Sequence, residues 1–197
     1  MTELIFRYAK FYDYMLSRLR GEEFPLSNEA DGQAFNTRIT EYWQKYNNVT
    51  FKYYKKYNLT LPDFWLAYPV HSKKNLIPFS DPLTLIIKDD LDDVVSTIVH
   101  EICHVFFDFY GNIETCDKLW NQIKKTFPNE DQGTQEHIPV IILARAGLRH
   151  IMGPEKAEFL LAREKEYEGL ARSWEIIDGQ KTLSEDPIEA IFNLKIV

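Results

Sequence analysis

Only two cysteines, Cys103 and Cys116, occur among the 197 residues. That is too few for a disulfide-stapled scaffold or a cysteine-based zinc knuckle, so the composition suits a reduced, cytoplasmic protein. Basic charge is also scarce: 23 Lys and Arg against 30 Asp and Glu give a net charge of −7. Phosphate binding needs a surplus of cations, so neither nucleic acid nor an anionic membrane is expected as a partner. The one basic run, "FKYYKKY" around Lys52 to Lys56, reads as a solvated helix face. No apolar stretch approaches the roughly 20 residues that span a bilayer. The opening "MTELIFRYAKFYDYMLSRLRG" carries charges throughout and no small-residue cleavage site, as expected of an amphipathic helix and not of a signal peptide. Internal repeats, low-complexity tracts and long Gly/Ser linkers are missing as well.

What is present is a large apolar complement, 45% of residues with 14% aromatic, enough for a sizeable core. Residues 3 to 19 are expected as a first helix ending near Gly21, with Ser27, Asn28 or Asp31 capping a second. Phe35, Ile39, Tyr42, Trp43 and Tyr46 recur at helical spacing, so the second helix is expected to reach about Tyr57. "FWLAYPV" (64 to 70) and "LTLIIK" (83 to 88) are short apolar runs bounded by turn residues and read as strands, joined by a loop or hairpin arm. From Asp90 the pattern is helical, over about 91 to 110, 113 to 126, 134 to 151, 154 to 176 and 186 to 194. The fold class is therefore α+β, mostly helical: a small twisted sheet on a backing helix, then an all-helical C-terminal part. One domain over 1 to 197 is expected, with a helix and sheet subdomain (1 to 111) and a helical one (112 to 197) meeting near Gly111.

Within this pattern "STIVHEICHVFFDFYG" places His100, Glu101 and His104 together. On a helix, Val94, Val95, Ile98, Val99, Ile102, Val105 and Phe106 form one apolar face, while both histidines and Glu101 share a polar stripe. Two imidazoles one turn apart can converge on a metal through bonds of about 2.0 to 2.1 Å. Glu101, rotated about 100° from His100, points beside such a metal. A catalytic zinc polarises a carbonyl and lowers the pKa of its water, and a carboxylate within reach serves as general base and then acid. Cys103 lies off this stripe and reads as a packing residue.

The segment Thr97 to Phe106 resembles the extended signature of the zincin metallopeptidases, with uncharged residues around His-Glu-x-x-His and a hydrophobic residue closing it. The upstream order resembles a zincin too: a long backing helix, strands, then an edge strand near Leu83 to Lys88 that in the family holds extended substrate by sheet addition. No histidine follows at the metzincin spacing. A glutamate on a downstream helix would match a minimal gluzincin, and Glu136 in "GTQEHIPVIILARAGLRH" is then the third ligand, with adjacent His137 as the alternative. Pro139 would put both in the first turn of that helix. The family's second-shell aspartate is missing, since Val140 stands at that position, and Asp108 is the substitute offered. Oxyanion donors among Tyr110, Arg145, Arg149, His150 and Tyr167 stay open; each fits an ordinary surface or packing role, as does His71.

The resemblance therefore implies a zinc metalloendopeptidase with one Zn2+ on His100, His104 and Glu136, Glu101 as catalytic base, and a peptide or protein substrate. A latent zincin-fold regulatory module, or a protease dedicated to one partner, fits the same residues.

Overall fold

The structure, a computed structural model, describes residues 2–24, 28–59, 61–72, 78–107 and 113–195. It is a mostly helical α+β fold whose small sheet runs in the order β1 (Glu3–Phe6), β2 (Phe64–Val70), β4 (Leu83–Ile86), β3 (Phe79–Ser80). The first three of these run parallel, and β3 returns antiparallel to β4. The expected helix over 3 to 19 divides into β1 and α1 (Lys10–Leu19). The alternation of Leu4 and Phe6 inward with Glu3 and Ile5 outward lets four residues join the sheet beside β2, a pairing no local helical spacing reveals.

Leu83 and Leu85 point to one face of the sheet, into a core shared with α2 (Asn28–Lys55) and α3 (Leu91–Val105). Phe35, Ile39, Trp43, Phe51 and Tyr54 of α2 are buried there, so the aromatic stripe is core. Thr84 points to the opposite face, where Tyr12 of α1 meets it at 2.7 Å. Asn47 of α2 also closes the outer edge of β1, accepting from the Leu4 N–H and donating to the Thr2 carbonyl.

β4 was expected at the edge; instead the arm that precedes it folds back through a turn at Asp81-Pro82, and Ser80 and Phe79 pair with Leu83 and Thr84. β3 is the terminal strand of the sheet, and both β3 and β4 pack against α3.

Downstream lie α4 (Ile113–Thr126), α5 (Gln132–Met152), α6 (Pro154–Glu164), a short 3-10 turn (Glu168–Leu170), α7 (Ala171–Asp178) and α8 (Pro187–Phe192). The single helix expected over 154 to 176 is two. Over residues 165 to 169 no side chain is buried, so nothing sustains an amphipathic helix, and the break lets Trp174, Ile176 and Ile177 fold back against α5. On α6 Leu160 is buried, whereas Phe159 and Ala162 face solvent. α8 docks on α4 and α5 through Ala190 and Ile191. Among the described residues no helix is long and apolar enough to cross a membrane. Ser27, Asp108, Tyr110 and Gly111, named above as cap, orienting carboxylate, donor and boundary, lie outside the described residues.

A candidate metal centre of three histidines

α3 starts where Asp90 caps it, its carboxylate accepting from the N–H groups of Asp92 and Asp93. The apolar face then locks the helix: Val94, Val95, Ile98, Val99, Ile102 and Val105 are each at most 1% exposed. Cys103 donates to the Tyr54 hydroxyl, which donates in turn to the Leu143 carbonyl, so the cysteine is a packing residue joining three helices. Gly147 is required beside it, because a Cβ there would overlap the Tyr54 hydroxyl.

The polar stripe is covered by α5 and α6, which leaves His100 and Glu101 buried. The Nε2 atoms of His100 and His104 lie 3.2 Å apart. From α5, His137 completes the group: one donor atom from each of His100, His104 and His137 falls within 4.8 Å of the others. The His137 Nδ1 sits 2.7 Å from the Gly133 carbonyl, which fixes its tautomer and leaves Nε2 for the cluster. Glu136, the first candidate for third ligand, lies outside this group, its carboxylate accepting from Gln132 Nε2 at 2.6 Å. Adjacent residues on a helix diverge by about 100°: His137 is turned to the two histidines of α3, while Glu136 lines the pocket beside them.

The start of α5 also differs from expectation. Asp131 accepts from both the N–H and the hydroxyl of Thr134 and caps the helix, so Gln132 opens it and Pro139 lies in its interior, not in its first turn. The sequence reading missed Glu164 altogether. It is the last residue of α6, and its Oε1 lies 2.8 Å from the His100 Nδ1, on the side of the ring away from the cluster. Among the described residues neither atom has a hydrogen-bond partner, so the contact acts through charge. Gly153, at φ 84°, and Pro154 make the reversal that lays α6 along α5 and brings Glu164 to α3.

These surroundings set the protonation states. Burial opposes charge on His100, but the Glu164 carboxylate, aided by Glu101, overcomes it and raises His100 to about 8. Burial, then repulsion from His100 and His137, pushes His104 down to about 2; burial also lowers His137. Burial pushes Glu101 up to about 7, partly offset by His100. Its carboxylate makes no hydrogen bond to any described residue.

The donor set fits a metal cation. Two imidazoles are held neutral, and the short Nε2 to Nε2 approach requires a shared proton that a cation would replace. Two outward Nδ1 atoms face a carboxylate and a backbone carbonyl, the usual partners behind histidine ligands. The three histidines can thus hold a metal ion. No protein-family model, curated protein or solved structure matches this chain.

Proposed function

We propose that the protein is a zinc-dependent peptidase whose ligands are His100, His104 and His137. The observation that carries this reading is the convergence of three imidazoles beside a buried glutamate that is hydrogen-bonded to no described residue. Imidazole donors suit Zn2+ well, and three protein ligands leave a coordination position open. Zinc so held supplies Lewis-acid polarisation of a carbonyl and a lowered pKa for water.

The protein's own groups supply the rest. Glu101, with its pKa near neutrality, accepts a proton at its carboxylate from water and returns it to a leaving amine. Hydrogen-bonded to no described residue, that carboxylate is available to a water. Glu164 holds the His100 ring from behind, and the Gly133 carbonyl does so for His137. With a histidine in place of glutamate as third ligand, the donor set departs from that of a gluzincin while the His-Glu-x-x-His helix keeps its role.

The test is cleavage of a mixed peptide library by the wild type and by Glu101→Gln, with zinc content measured in both. Cleavage by the wild type alone, at equal zinc content, is expected. Equal zinc content with no cleavage by either would replace the peptidase with a metal-binding regulatory module, provided one native partner protein is also left uncut.

A further inference from the structure

Beside the metal centre, a pocket between α3, α4 and α5 has His104 in its wall. Phe107, Trp120 and Val140 give it apolar sides, and the carboxylates of Asp117 and Glu136 flank it from α4 and α5. Cys116 is only wall here, since its thiol is buried and donates to the Phe106 carbonyl. Among the described residues neither Asp117 nor Glu136 is ion-paired: Lys118 is taken by Glu114 at 2.6 Å, and Glu136 meets the neutral Gln132. Lys124 Nζ lies 5.1 Å from the Trp120 ring centroid, so this ring serves the pocket as apolar wall and the carboxylates carry its charge. Two carboxylates ion-paired to no described residue, beside aromatic and aliphatic walls, suit a ligand group with an apolar stem and a positive end.

We infer that this pocket takes a lysine or arginine side chain of the substrate next to the bond that is cut. The stem lies along Phe107, Trp120 and Val140, and the charge meets Asp117 and Glu136. Its adjacency to His104 makes it a selectivity pocket of the same site, so the identity of the ligand as a peptide rests on the peptidase reading. The overall charge of −7 favours approach of a basic segment.

The experiment uses the full-length, zinc-loaded protein with its Asp117→Asn and Asp117→Lys variants. Each is given peptides randomised around a central position, and cut sites are read by mass spectrometry. Binding of a lysine-containing and a norleucine-containing peptide to Glu101→Gln, with and without Asp117→Asn, is measured alongside. The wild type is expected to cut with Lys or Arg at one fixed position beside the bond. Asp117→Asn should weaken that preference about tenfold or more, the usual effect of removing a charge-assisted contact. Asp117→Lys should shift selection toward acidic or neutral residues. Glu101-dependent cleavage that ignores basic residues, or a preference unmoved by Asp117, would overturn the pocket while leaving the peptidase reading intact. No cleavage, with lysine-peptide binding that Asp117→Asn still weakens, would overturn the peptidase reading and support the pocket; loss of both cleavage and selective binding would overturn the pocket too.

Discussion

Glu164 shows how much of this centre depends on single side chains outside the motif. A carboxylate behind a histidine ligand fixes the ring and raises its basicity, and removing such a partner typically lowers metal affinity about 10- to 100-fold. Glu164→Gln keeps the shape and removes the charge; a zinc titration against a competing chelator should show a weakening in that range, whereas unchanged affinity would make the His100 contact incidental. Asp90 acts at the other end of α3. Its carboxyl is held below the ordinary aspartate value, first by Arg163 and then by the N–H groups it caps. Because the folded value is depressed, its contribution is complete above the ordinary value of 3.8 and disappears as pH falls through the lower folded one. Asp90→Ala should cost about 1 kcal/mol at neutral pH, the usual loss for a helix cap, and the gap from wild type in denaturant melts should close in strong acid.

At the scale of elements, the reversal at Gly153 decides whether α6 reaches the centre. Its backbone, φ 84° with ψ 155°, lies in a region essentially reserved for glycine. Gly153→Ala should therefore destabilise the fold by about 1 to 3 kcal/mol, a value checked by chemical unfolding. If α6 shifts to relieve the strain, zinc affinity should fall with it, since Glu164 is that helix's last residue. The elements also differ in how readable they were. β2, α2, α3 and α4 followed from residue spacing, because each buries a face whose period is visible locally. β1 and the break after α6 did not, because four residues such as "ELIF" suit either period and tertiary pairing decides between them.

For the molecule as a whole, three helices meet at one centre: α3 brings two histidines and Glu101, α5 brings His137, and α6, which follows α5 directly, brings Glu164. The first part was legible because His-Glu-x-x-His lies within one turn of one helix. The choice between Glu136 and His137 turned on the rotation of α5, set by its Asp131 cap and its packing on α3, neither of which a resemblance supplies. Glu164 stands amid the charged run "AREKEYEG", where composition singles out no residue. The central claim, a metal held by three histidines, is tested most directly by the zinc content of the purified protein beside His104→Ala, His137→Ala and Glu136→Gln. The account predicts about one zinc in the wild type and in Glu136→Gln, and loss in both histidine variants, in keeping with three protein ligands per ion. Zinc retained by His137→Ala and lost from Glu136→Gln would contradict it.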